Sequence, residues 1–111
     1  MANIQKSYAT RDNGTKLIST TGAATQTIPC DTMDEKTAFI VSNTSATEDA
    51  TVTVVAGDGI RSSIGDLTVT VPKSSEYIIG PLDSMRFKNL SDGNITVNIS
   101  GGTTAIKPFS L

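Results

Sequence analysis

The sequence predicts an all-β fold, an antiparallel β-sandwich or jelly-roll-like barrel of about seven or eight short strands. Three observations carry this prediction. Short runs alternate apolar and polar residues, most cleanly LTVTV at 67–71 and NITVNIS at 94–100, and such runs recur at the roughly 8–12-residue spacing of sandwiches and barrels. Valine and isoleucine far outnumber leucine and methionine and Thr and Ser are abundant, a composition suited to pleated strands with one solvated face. No stretch places Leu, Glu, Lys and Ala at helical spacing over three turns. The 111 residues fit one domain, and no fixed period marks a solenoid or propeller.

The elements follow in order. Residues 1–14 read as an extended, polar N-terminal arm ending at the turn dipeptide Asn13-Gly14, and residues 15–111 as a single β-sandwich domain. Thr15 to Thr20 pairs as a short strand through Leu17. Residues 21–36 are irregular, anchored by Ile28, Cys30 and Met33. Pro29 restricts any strand there to a short or edge one, and Asp31 caps a single helical turn whose start Asp34 and Glu35 favour. Residues 37–43 form a strand with Phe39 and Val41 inward, 44–49 a polar loop, and 50–56 a strand with Val52 and Val54 inward. Gly57-Asp58-Gly59 is a turn or bulge, after which Ile60 and Ile64 pin a loop to the core. Leu67, Val69 and Val71 share one face of the strand over 66–71, which Pro72 ends for want of an amide hydrogen. A short strand at 75–79 closes at Gly80-Pro81. Residues 83–89 read as a strand with Met85 and Phe87 on one face and Arg86 and Lys88 on the other. Asp92-Gly93 marks a hairpin connection over 90–93, and 94–100 buries Ile95, Val97 and Ile99. After Gly101-Gly102 a last strand through Ala105 and Ile106 brings Phe109 and Leu111 to the C-terminus.

Composition removes most enzyme classes. The chain has no histidine, hence neither the commonest general base nor the commonest transition-metal ligand, and no Ser/His/Asp or Cys/His machinery. Cys30 is the only cysteine; it forms no internal disulfide and reads as a small buried hydrophobe. Asp31, Asp34, Glu35, Glu48, Asp49, Asp58 and Asp66 match no EF-hand spacing and lie in separate connections, so they read as solvated loop carboxylates. Glycosidase chemistry needs a cleft that aromatic platforms usually line, and the chain has no Trp and two Tyr. Gly57-Asp58-Gly59 lacks the Lys and following helix of a phosphate loop. The expectation is a protein that is not an enzyme and has no catalytic, cofactor or metal residues.

The formal net charge is −2 and the charges are scattered, without the basic, aromatic-interleaved patch of a nucleic-acid surface. No apolar run approaches the roughly 18 residues of a membrane span. The start, MANIQKSYATRDNG, lacks the regions of a signal peptide, which predicts synthesis in the cytosol. Asn-x-Ser/Thr triplets at Asn13, Asn43, Asn89, Asn94 and Asn98 are those expected by chance in a chain rich in Ser and Thr. Within the arm, Lys6, Tyr8 and Arg11 are the candidate partner-binding residues. The segment is too weakly apolar to fold alone and would order on a partner, with Tyr8 and Arg11 as anchors because Tyr and Arg are enriched at energetically important contacts.

From Phe39 to Lys107 the chain resembles a family of small phage and prophage virion head proteins. The residues that carry the resemblance are 67–71 (LTVTV) followed by Pro72, then Ile78-Ile79-Gly80-Pro81-Leu82, Arg86-Phe87, Asp92-Gly93 and the alternating 95–99 (ITVNI). These are core and turn positions, so no binding residue carries over. The resemblance implies a non-enzymatic capsid decoration (auxiliary or cement) protein, made in the host cytoplasm and bound to the outside of the assembled head. Its partners would be the major capsid protein and further copies of itself, in a trimer or another small oligomer. The runner-up is a carbohydrate- or receptor-binding β-module of a phage tail or other virion appendage, against which the scarcity of aromatics counts.

Overall fold

Alternation decides which face each strand buries. In β9 (Asn94–Ser100) Ile95, Val97 and Ile99 are buried while the residues between them are partly solvated; in β6 (Ala50–Val54) Ala50, Val52 and Val54 are fully buried. Both patterns put one face on a core and leave hydroxyl and amide side chains on the other. The computed structural model describes residues 2–9, 14–30 and 36–110, and these form two packed, mostly antiparallel sheets.

The first sheet runs β1 (Ala2–Asn3), β4 (Thr25–Pro29), β9, β6, β7 (Leu67–Val71). The second runs β2 (Ser7–Tyr8), β10 (Thr104–Ser110), β5 (Thr37–Asn43), β8 (Ser75–Ile79), with β3 (Thr20–Thr21) also on β10. Seven strands have five or seven residues, as the periodicity predicts, and β1, β2 and β3 have two each. The core lies between Ile28, Val52, Val54, Val71, Ile95 and Val97 of the first sheet and Phe39, Val41, Ile79 and Ile106 of the second, joined by Cys30, Leu82 and Phe87. Each such aliphatic or aromatic side chain contributes about 1.5–3 kcal/mol on burial.

Residues 2–9 lie along one open side of the sandwich. β1 pairs in parallel with β4, Ile4 enters the core at 7 % exposure, and β2 pairs in parallel with β10. The segment thus crosses from one sheet to the other like a clasp. Ser7 ties down the next stretch: its hydroxyl donates to the carbonyl of Lys16 and accepts from the amide of Ile18.

β10 shows how its outer edge is closed. The Thr44 amide donates to the Thr103 carbonyl, which makes Asn43↔Thr104 a non-hydrogen-bonded pair. Alternation along the ladder makes Phe39↔Pro108 one as well. The Pro108 nitrogen therefore faces away from β5, between the stretches that β2 and β3 cover, at an edge position where a missing N–H costs no ladder bond. At the far end of the sandwich Asn43 is 2 % exposed and fully hydrogen-bonded. Its Nδ2 donates to the carbonyls of Glu48 (2.9 Å) and Val71 (3.2 Å), and its Oδ1 accepts from the amides of Ser45 (3.2 Å) and Thr103 (3.1 Å).

Several expectations need correction. Residues 83–89 are not a strand: Ser84–Phe87 form one helical turn, α1, because the Asp83 carboxylate accepts from the Met85 amide (2.9 Å) and caps it. Met85 is consequently exposed while Phe87 is buried, and only Lys88 bridges to Ile95. Ile60 and Ile64 are not core anchors; they are 86 % and 56 % exposed. Leu17 lies outside any strand, the pairing there being confined to Thr20–Thr21. The stretch read as irregular holds β4, which sits between β1 and β9 with Gln26 and Ile28 fully buried. Gln26 is tolerated there because its Nε2 donates to the Val97 carbonyl (2.6 Å) and its Oε1 accepts from the Ala23 amide (2.7 Å). The helical turn expected after Asp31 and the Met33 anchor lie outside the described residues.

Candidate protein-contact site at the loop end

The pairings Pro29↔Asn94, Val54↔Leu67, Phe39↔Ile79 and Thr37↔Ser110 gather the connections 55–66 and 80–93 at one end of the sandwich. This end carries four exposed large apolar side chains, Ile60 (86 %), Leu90 (68 %), Ile64 and Met85. Scattered single apolar residues are ordinary on a surface, whereas a group on neighbouring loops marks a contact region.

What holds them out is a dense set of main-chain bonds. The amides of Gly57 and Arg61 donate to the carbonyls of Arg86 (2.8 Å) and Met85 (3.0 Å), and the Leu90 amide donates to Asp58 Oδ1 (2.7 Å). Gly59 passes so close to the Met85 carbonyl that an added Cβ would overlap it, which is why glycine is needed there. A 3-10 turn at Ser62–Ile64 continues the loop. Arg86 closes it from below, with Nε on the Gly65 carbonyl (2.9 Å), Nη2 on the Asp66 carbonyl (3.2 Å) and its guanidinium 4.6 Å from the Phe87 ring centre. Arg61 pairs with Asp83 at 3.2 Å, so the carboxylate that caps α1 also fixes the facing loop. Asp66 Oδ1 accepts from the Ala56 amide (2.7 Å). Asp58 and Asp66, read as solvated loop carboxylates, thus also hold the backbone in place.

Covering Ile60 and Leu90 would release up to about 1.5–3 kcal/mol each, and covering the half-exposed Ile64 and Met85 about half as much, against the several kcal/mol that association costs. Because the loops are already braced, little ordering entropy is added on contact. Among the described residues no group of three or more His, Cys, Asp or Glu is placed to hold a metal, and no helix is long and apolar enough to cross a membrane.

Of the residues read as partner anchors, Lys6 is 6 % exposed and donates to the Pro29 carbonyl (3.0 Å) and to Thr37 Oγ1 (2.8 Å). Its ammonium is 5.3 Å from the Tyr8 ring centre, so the structure brings Lys6 and Tyr8 together in the clasp. Tyr8 is 41 % exposed beside a hollow it shares with Leu17 and Phe109, and Arg11 lies outside the described residues. The sequence reading placed Ile60 and Ile64 on the core and Met85 on a strand face with Phe87, and gave Leu90 no role beyond its hairpin connection. The available signal was that Ile60 and Leu90 stand alone among turn residues, with no partner two positions away.

The outer face of the first sheet is different in kind. Thr25, Asn98, Thr53 and Thr68 stand in one cross-strand row. Asn98 Oδ1 is shut off from solvent and has no hydrogen-bond partner among the described residues, in a hollow lined by Thr25, Thr51, Thr53 and Ser100.

No protein-family model matches the chain, and comparison with curated proteins and with solved structures finds no match.

Proposed function

We propose that this protein is a non-enzymatic virion structural protein of a phage, binding the outer surface of the assembled head as a decoration protein. The observation that carries the reading is the braced loop end, which holds Ile60, Leu90, Ile64 and Met85 out to solvent. This arrangement suits recognition of another protein surface, with rigid apolar anchors ringed by polar groups. The resemblance of 67–71, 78–82, 86–87 and 95–99 to phage head proteins supplies the partner class, the major capsid protein. Repetition across a capsid lattice would turn a modest contact into strong retention wherever the protein is itself multivalent. The reading is tested with heads that lack the protein. The purified chain is expected to co-sediment with them and raise their resistance to heat, and an Ile60→Asp/Leu90→Asp variant to stay in the supernatant while keeping its fold. Failure of the native chain to bind such heads overturns the reading.

A second reading, a carbohydrate-binding module of a virion appendage, is favoured by one observation only. The hollow around Asn98 presents the hydroxyl-bearing Thr25, Thr51, Thr53 and Ser100, groups that can hydrogen-bond a polyhydroxylated ligand. Specific binding on a glycan array, lost in Asn98→Ala, would place this reading first.

A further inference from the structure

β8 is an edge strand whose outward groups can be assigned. Since Asn43↔Thr104 is a non-hydrogen-bonded pair, the main-chain groups of Asn43, Val41 and Phe39 face β8, where they meet Ser75, Tyr77 and Ile79. The N–H and C=O of Glu76 and Ile78 therefore point out of the sheet. The same argument on the other sheet starts from the bond of the Val55 amide to the Thr96 carbonyl and leaves Thr68 and Thr70 of β7 pointing outward.

Proteins guard such edges with outward charge, proline or a covering segment. β4 is covered by β1, and β10 by β2, β3 and the placement of Pro108. β7 presents threonines. β8 instead presents Ile78 at 64 % and Tyr77 at 41 % exposure, and its one charge is turned away from the edge. The Glu76 carboxylate accepts from Ser42 Oγ and pairs with Lys107 Nζ (3.1 Å), back across its own sheet.

We propose that β8 is the seam of a two-fold dimer, in which it pairs antiparallel with β8 of a second copy in a register centred on Tyr77. In this register Glu76 of each copy exchanges both main-chain hydrogen bonds with Ile78 of the other, so all the outward groups of the two strands are used. Neighbouring registers do worse. Centring on Glu76 needs Ser74, whose φ of 55° already ends the strand; centring on Ile78 needs Gly80, at φ 124° and followed by Pro81. The central pair, Tyr77 with its own copy, is of the closely spaced kind and joins two aromatic rings. Ile78 becomes covered between Ile40 of its own sheet and the methylenes of Glu76 of the second copy. A second copy is the occupant chosen because the edge complements itself, donor for acceptor, about the Tyr77 axis. The inference does not depend on the capsid reading.

Sedimentation velocity over a concentration series tests it. The native chain is expected to reach a dimer. Ile78→Pro removes only the outward N–H, so it is expected to leave the circular dichroism unchanged and yield a monomer; Ile78→Lys, which restores an edge charge, is expected to do the same. Should proline disturb the fold, the lysine variant and a cysteine scan decide. Tyr77→Cys is expected to cross-link to a covalent dimer under mild oxidation, since closely spaced pairs fit disulfide geometry, and Ser75→Cys is not. A native chain that stays monomeric throughout the series, a dimer that survives both Ile78 variants, or cross-linking through Ser75→Cys in place of Tyr77→Cys overturns the proposal.

Discussion

Asn43 occupies the point where the end of β5 meets the loop 44–49, the end of β7 and the turn 101–103, and both donors and the acceptor of its amide are used. Truncation strands two carbonyls and two amides in a place where water enters poorly, so Asn43→Ala is expected to lower unfolding free energy by about 3 kcal/mol in a denaturant titration. As a glycosylation triplet the same residue read as a chance occurrence; its placement shows the amide is a structural tie. Nothing in the local sequence distinguishes it, because its four partners come from segments up to 60 residues away. Glu76 gives a pH signature. The hydrogen bond from Ser42, then the hydrogen bond and charge of Lys107, hold its carboxyl below the usual glutamate range. A lowered folded pKa favours the native state above the unfolded value, and the benefit disappears as pH falls through the folded one. The stability difference between the native chain and Glu76→Gln is therefore expected to be constant near neutral pH and to close in acid, measured as unfolding midpoint against pH.

At the scale of elements, the alternating runs were legible and the capped turn was not. β5, β6, β7 and β9 follow from period-two burial of Phe39 and Val41, Val52 and Val54, Val71, and Ile95 and Val97, because the pleat makes one-face burial visible in the chain itself, while β8 was legible as a short run closed by Gly80-Pro81. Met85-Arg86-Phe87 has the same alternation, but three residues cannot separate a strand from one helical turn. The deciding signal was Asp83, a capping residue just before the run. Its side chain holds both the α1 amide and Arg61, so Asp83→Ala is expected to cost about 1 kcal/mol by denaturant titration. Under the proposed decoration role, the same change is expected to weaken binding to heads that lack the protein, since it removes the Arg61 pairing from the loop that carries Ile60. β4 was hidden for another reason. Gln26 and Thr27 are buried polar residues, and a polar residue on the inward face erases the alternation that would reveal the strand.

For the whole molecule, the division into an arm and a domain was a reading of polarity alone. Residues 2–9 are polar because much of their attachment is backbone pairing, which leaves no mark on side-chain hydropathy; Ile4 is the one apolar clue. Removing residues 1–9 uncovers an edge of each sheet and loses Ile4 and the Lys6 bonds, so the truncated chain is expected to be less stable by several kcal/mol and to aggregate on light scattering where the native chain does not. The loop-end cluster belongs to the same scale: it emerges only when the 55–66 and 80–93 connections meet, which no local pattern encodes. The clasp also has a bearing on how the protein is made. Ser7 pairs with Phe109 and Tyr8 with Ser110, so the clasp must wait for a segment that leaves the ribosome about a hundred residues after it. Until β10 arrives, β5 lacks one neighbour and the clasp has no second sheet to close on. Closure of the two sheets is thus deferred until β10 has emerged, and the interval before it is when the nascent chain most needs to be kept from other strands.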